Sequence, residues 1–435
     1  MGLEALLHLV QASNAVPGPA AHLALTGPAP DRNSHAVHVA AAALSQLSQQ
    51  ATPGTSSTNG PVAEFLQQIR GGNSHSSSDS SGLTDLRSHF PNHAITGHLL
   101  YHFFEHSSIP WLWSMIHKPV FDSYYVTFSS GQHPPSFDFI ALLAMVCASS
   151  LQFLPKTPAD QALFSDYGPG RDVLKRRLYE FSRSILVFNH SLSPSLEHVQ
   201  ALILLAIYQL NEGSLTGYYN SSAASIRMAQ SLWMNQDVLP SWNLNPLEVD
   251  VRRKVWWTLF ILDRQQCLIL RRPYIIHENH CDITLPQIDE RGPQQDPMEQ
   301  VFLLLQIRWS KLISKMWDNC FAMYSPTYRD IFHIEEDIKR FELDLPSSFR
   351  LPTLQVATDH PCVLFQNRTL TLQIYHSRVL ILRPFLLIRQ VDKDSNSGDE
   401  MLVKLHIHAR YVCLMIWQDP SSSFHLHRST KFLEQ

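Results

Sequence analysis

After about Ile95 the apolar residues recur at helical spacing; before it they follow no steady period. Phe137–Phe153 is apolar nearly all round, which predicts a buried helix. Arg171–Phe188 is amphipathic: Val173, Leu174, Leu178, Phe181, Ile185 and Leu186 form one stripe, with Arg176, Arg177, Glu180 and Arg183 opposite. Leu196–Leu210, following the helix-starting pair Ser193-Pro194, predicts a second buried helix. Ser214–Met234 is rich in small residues, and Pro246–Leu270 carries Trp256, Trp257, Phe260 and Ile261. Met298–Met323, Tyr328–Leu343, Cys362–Leu387 and Glu400–Trp417 complete the series. Pro, Gly and Asn fill the gaps, no strand-like alternation lasts more than a few residues, and no fixed repeat shows. The pattern predicts an all-α, stacked helical body.

The first ninety or so residues have a different texture. Two helix-capable pieces, Leu3–Ala12 and Ala36–Gln50, are set among Pro17-Gly18-Pro19, Pro28–Pro30, Thr52–Pro61 and the serine run Ser74–Ser81. Such stretches bury too little apolar surface to offset the entropy of ordering, so a largely disordered N-terminal arm is expected. The chain accordingly divides into an arm over 1–91, a helical domain over 92–390, and a linker with a C-terminal helix and tail over 391–435.

Charge narrows the functional classes. With 34 Lys and Arg against 38 Asp and Glu, the formal net charge is −4, so nucleic acid is not held by an overall basic surface. The six cysteines, Cys147, Cys267, Cys281, Cys320, Cys362 and Cys413, stand at least fourteen residues apart, which gives no zinc-site spacing and predicts buried, reduced thiols. Met1-Gly2-Leu3-Glu4 lacks the basic start of a signal peptide, and Leu6 spoils a myristoylation pattern. The apolar run Phe139–Pro155 is too short and too rich in Ser and Gln for a membrane span, so a soluble intracellular protein is expected.

Catalytic signatures are few. No GxSxG, GxxxxGK or GxGxxG occurs. His102-Phe103-Phe104-Glu105-His106 has the H-x-x-E-H form of a helical zinc hydrolase, two His one turn apart with a Glu as base, but a helix end beside a core explains it as well. His277-Glu278-Asn279-His280-Cys281-Asp282 collects metal-capable groups in what reads as a solvated loop. The pairs His406/His408 and His425/His427 are spaced by two, which splays them on a helix. Lys175-Arg176-Arg177, Arg252-Arg253-Lys254 and Arg271-Arg272 have acidic neighbours and suit helix-surface ion pairing better than nuclear import or phosphate contact. Asp263-Arg264 lies in an apolar turn, so both charges should be paired across to neighbouring elements, although a place in an internal ligand cleft is also open.

His198–Asp237 resembles the middle homology region of fungal binuclear-zinc-cluster transcription factors, with Ala224–Gln230 reading ASIRMAQ. Glu248–Arg264, EVDVRRKVWWTLFILDR, is similar to that family's tryptophan-pair segment over its whole length. Arg271-Arg272-Pro273 stands where the family usually has Gly-Arg-Pro, and Asp282-Ile283-Thr284-Leu285-Pro286 matches its D(I/V).LP loop. Tyr101–Phe121 resembles the family's entry segment, with Ser108 in place of a His, and Leu382-Arg383-Pro384-Phe385 its later L.RP helix. The likeness covers roughly residues 92–390.

The resemblance implies a nuclear regulator of RNA polymerase II genes, governing a metabolic or secondary-metabolite pathway and acting through its helical domain. Family members read DNA with an N-terminal six-cysteine zinc cluster; here the first cysteine is Cys147, already in the helical region. No catalytic, cofactor-binding, metal or DNA-binding residue is therefore assigned, and no zinc is expected in this chain. Expected partners are the transcription machinery or a DNA-binding relative, with DNA reached indirectly or through a further segment. A small-molecule effector and homo- or heterodimerisation through shared helices are expected too, with no membrane. Two other readings remain: a cofactor or inhibitor that pairs with a full-length relative without touching DNA, and a metal-dependent hydrolase built on His102, Glu105 and His106.

Overall fold

The chain folds as a stack of α-helices in the computed structural model, which describes residues 86–388 apart from 107–113, 132–135, 190–193, 239–241, 287–296, 322–327, 351–360 and parts of 156–169. All described residues belong to one compact unit, Asn73–Leu414. The expected arm over 1–91 falls almost wholly outside the described residues, as does the helix expected at Glu400–Trp417. The helices are α1 (His93–Tyr101), α2 (Lys118–Ser130), α3 (Phe137–Phe153), α4 (Arg171–Asn189), α5 (Leu196–Asn211) and α6 (Leu215–Ser231). They continue with α7 (Pro246–Leu270), α8 (Pro297–Cys320), α9 (Tyr328–Leu343) and α10 (Pro361–Ile388). A single π-helical turn, His102–His106, extends α1. None of the described helices is long and apolar enough to cross a membrane.

α3 is the centre of the first half. Every residue from Asp138 to Leu151 is buried, because α4, α5 and α1 cover it on different sides. Its start is fixed locally, since Ser136 accepts from the Phe139 amide at 3.1 Å. It is also tied to α5. Asp138 accepts from the hydroxyl of Ser195 at 2.6 Å and pairs with His198 Nδ1 at 3.0 Å, while Ser195 itself caps α5 through the His198 amide. One carboxylate thus sets the starts of two helices against each other. The far end of α3 is closed by Arg171 at the start of α4, which donates to the Leu151 carbonyl at 2.8 Å and to that of Leu154.

The helical stripe of α4 is shifted from the expected one. Leu174, Leu178, Phe181, Ile185 and Leu186 are buried, but Val173 is 56% exposed. Positions 174, 178, 181 and 185 already define a face, and Val173 lies about 100° round from Leu174. Lys175 takes a buried place instead, its ammonium 2.7 Å from Glu212 at the end of α5. α6 ends at Ser231 rather than Met234, because Trp233 adopts φ +58° and turns the chain. α5 and α6 approach closely at Gly217, where a Cβ would come within 2.7 Å of Ser214 Oγ and 2.9 Å of Gln209 Cδ.

In the second half, α8 packs against α7, α9 and α10, and α10 is tied to α9 by charge. Arg378 places its guanidinium against Glu335 at 3.1 Å and Glu342 at 2.7 Å, both on α9. Those carboxylates hold the guanidinium firmly protonated despite burial.

α7 ends in a left-handed residue that is not glycine: Arg271 has φ +56° and ψ +39°. This conformation costs a side-chain-bearing residue about 1 kcal/mol relative to glycine. Arg271→Gly is expected to raise the stability of the domain by about that amount, read as a higher urea midpoint at unchanged slope. An unchanged or lower midpoint would mean that the stacking of Arg271 over Phe321, at 5.2 Å, outweighs the backbone term.

Candidate functional site

α7 organises the residues that carry the family likeness. Asn245 caps it by accepting from the Glu248 amide at 2.7 Å, and Pro246 occupies its first position, where no amide donor is needed. Trp256, Trp257 and Phe260 are buried in its middle. The indole of Trp257 donates to the Thr284 carbonyl at 3.0 Å, which lays the Cys281–Pro286 loop along the helix. That loop in turn pairs its backbone with the segment leaving α6: the Asp282 amide donates to the Asn235 carbonyl at 3.0 Å, and the Asp237 amide donates back to Asp282 at 2.6 Å. Arg253 closes the arrangement with a two-pronged grip on Asp237, both bonds 2.9 Å.

Asp263 and Arg264 are almost wholly out of water, at 2% and 0% exposure. Arg264 donates to Asp263 at 2.8 Å, to Ser314 Oγ of α8 at 2.7 Å and to the Ile276 carbonyl at 2.6 Å. Its plane lies between Phe260 and Tyr274, 4.1 and 3.9 Å from their ring centres. Asp263 accepts from the amides of Ile275 and Ile276 at 2.9 and 2.8 Å. Burial nevertheless pushes the Asp263 carboxyl up, against the Ile276 amide and Arg264, and pushes the Arg264 guanidinium down. The pair thus bridges to α8 and to the loop after α7, and it lines neither of the two clefts described here.

At the other end of α7 is a half-open cleft of about 420 Å³ between α2, α3, α5 and α7. Phe121, Tyr124, Phe139, Leu142 and Val251 make its apolar walls; Glu197, Gln200, Asn245, Glu248 and Arg252 supply polar groups. Burial is the main reason that the Glu197 carboxyl is raised, with Asp138 and Glu248 adding repulsion. Burial lowers the His117 imidazole, helped by Lys254, so it is neutral at pH 7. A second cleft of about 380 Å³ lies between α9 and α10, bordered by Glu342, Leu345, Phe349, Arg350, Ile374 and Tyr375.

The remaining sequence candidates are dispersed. His102 is buried on Ser150, whose hydroxyl is 3.2 Å from its Nδ1, whereas Glu105 is exposed. The side chain of His106 is outside the described residues, as are His406, His408, His425 and His427. Among the described residues no three His, Cys, Asp or Glu converge as a metal site, the 277–282 loop included. Cys147, Cys267 and Cys320 are buried and Cys281 half-buried, all unbridged. Burial raises the thiols of Cys147 and Cys267 to about 12 and those of Cys281 and Cys320 to about 11, so none is a ready nucleophile. The basic clusters are mostly internal ties: Lys175 pairs with Glu212 at 2.7 Å, Lys254 with Asp250 at 2.6 Å, and Arg272 stacks over Tyr219 at 4.2 Å. Sequence reasoning missed the cleft and the Arg378 node, both assembled from segments far apart in the chain.

Residues 100–349 match the fungal specific transcription factor domain, more than half of the chain, and the protein belongs to that family. Relatives include an uncharacterized transcriptional regulatory protein of Schizosaccharomyces pombe, 25% identical over 64% of this chain and 36% of its own length. The dehydrocurvularin biosynthesis regulator of Aspergillus terreus is 24% identical over 55% of this chain and 32% of its own. The pyrimidine pathway regulatory protein 1 of Saccharomyces cerevisiae is 20% identical over 41% and 22%. The chain spans about a third or less of the length of these curated relatives.

Asp263→Ala leaves Arg264 buried without its counter-charge and two amides without an acceptor. It is expected to lower stability by about 3 kcal/mol in urea unfolding, with Asp263→Asn losing less. Glu197 has the opposite sign. Its folded carboxyl titrates above the unfolded value of about 4.3, so the ionised form counts against folding at neutral pH. Glu197→Gln should therefore stabilise the protein at pH 7, and the gain should fade as pH falls through the carboxyl range and the native Glu197 becomes neutral as well.

Proposed function

We propose that this protein regulates transcription of RNA polymerase II genes, with the helical domain over 92–390 as its regulatory body. The observation that carries this reading is the family match over residues 100–349, supported by relatives whose names describe regulators of transcription, of a biosynthesis and of a pathway. A metabolic or secondary-metabolite pathway is the target class those names favour.

In this reading the domain works by binding rather than by catalysis, in the nucleus and without a resident metal. Support comes from the separation of His102, on Ser150, from the exposed Glu105, and from thiols that burial keeps protonated. DNA is reached through another segment or a DNA-binding partner, because the described basic side chains are largely engaged with carboxylates, carbonyls and rings of the same fold. The segments 1–91 and 391–435 flank this body as an arm and a tail.

Fusing the chain to a heterologous DNA-binding module tests the reading. Recruitment to a reporter promoter in a fungal host is expected to raise or lower transcription several-fold, with the tagged native chain in the nucleus. A reporter that stays unchanged across carbon and nitrogen sources, although the fusion occupies the promoter, would overturn it.

A further inference from the structure

The cleft at the start of α7 has the build of a small-molecule site. Its volume, about 420 Å³, falls in the range of pockets that enclose organic ligands, and its walls are aromatic and aliphatic. Phe121 and Tyr124 both pack on Phe139, with ring centres 5.3 and 5.4 Å apart, so the aromatic wall is preformed.

The charges in the cleft do not cancel. Glu248 and Arg252 both line it and lie one turn apart on α7, so they offset each other. Arg252 also donates to the Leu232 carbonyl and stacks over Trp242 at 5.9 Å. Glu197, on α5, is left without a counter-charge among the described residues, and its carboxylate accepts a hydrogen bond from its own backbone amide. Asp138 and Glu248 are its charged neighbours, both acidic, and no Lys or Arg among the described residues ion-pairs with it. The nearby cations have partners of their own, since Lys254 is held by Asp250 and Lys118 by Asp122. His117, at the same rim, has a buried Nδ1 with no hydrogen-bond partner among the described residues. An unmatched carboxylate on an apolar, aromatic-walled cleft is completed by a cation carrying an apolar body.

We propose that this cleft binds a small amphipathic organic amine, its ammonium on the Glu197 carboxylate and its apolar body against Phe121, Tyr124 and Phe139. The ammonium gains a charge-assisted hydrogen bond and relieves the repulsion that Glu197 feels from Asp138 and Glu248. The inference deepens the regulator reading by naming an effector class, and rests on it only for the consequence in transcription.

Calorimetry on the purified full chain at neutral pH tests binding, with hexylamine, 2-phenylethylamine and tryptamine as probes and 3-phenylpropionate as the isosteric anion of 2-phenylethylamine. At least one amine should bind, and 2-phenylethylamine should bind about tenfold or more tightly than the anion. Glu197→Gln should weaken the amine about tenfold without creating affinity for the anion. Leu247 lines the cleft and is 40% exposed, so Leu247→Trp should block all the probes without disturbing the core. Circular dichroism confirms that both variants are folded, and either variant alone decides the matter. Equal affinity for amine and anion, full amine affinity in Glu197→Gln or in Leu247→Trp, or no binding by any amine would overturn the proposal. Binding that behaves as expected while the tethered reporter never responds would overturn the regulator reading and leave the site standing.

Discussion

Arg264 carries a full charge with none of its surface in water, and the junction of α7, α8 and the following loop is arranged around what that charge requires. A guanidinium removed from water has to recover its hydration from protein groups. Here it does so from Asp263, Ser314 and the Ile276 carbonyl, with a ring on either face. Asp263 is then obliged to find donors for its remaining lone pairs, and it takes them from the loop backbone at Ile275 and Ile276. The path of the chain beyond Leu270 is thus fixed by these polar bonds together with the burial of Ile276. A Leu-rich replacement could fill the same volume, but it would not define the direction in which the loop leaves the helix.

The same logic recurs at smaller scale. Asp138 joins the starts of α3 and α5, Arg171 closes the end of α3, Arg253 holds the segment beyond α6, and Arg378 joins α10 to α9. These polar ties join particular positions of neighbouring helices, so they add direction to a packing otherwise made by apolar side chains. Arg253 belongs to the cluster Arg252-Arg253-Lys254, and its grip on Asp237 is the ion pairing that the acidic neighbours of that cluster led one to expect.

Much of this was legible in the sequence, for local reasons. The limits of α3 and α7 follow from their caps, those of α7 also from the proline at its first turn, and α9 follows from its apolar period, all signals that act within a few residues. The burial of Asp263 and Arg264 could be foreseen because the turn around them is apolar. Val173 was misplaced because a period of 3.6 leaves the edge of a stripe uncertain by one position, and only the packing partners decide it. Arg378 gives no sign in sequence, since Glu335 and Glu342 precede it by 43 and 36 residues. The cleft is least legible of all: Val120, Phe139, Glu197 and Glu248 have nothing in common until four helices bring them together.

α7 has a further property that comes from its length alone. It is 25 residues long, about 37 Å of continuous rod, with the Arg264 anchor near one end and the cleft at the other. From Arg264 back to Pro246 the rod measures about 27 Å, so a rotation of about 5° at the anchor sweeps its start through about 2 Å. Anchor and cleft are therefore two ends of one lever, and the backbone strip between the α6 exit and the Asp282 loop is clipped to the same rod by Arg253 and Trp257.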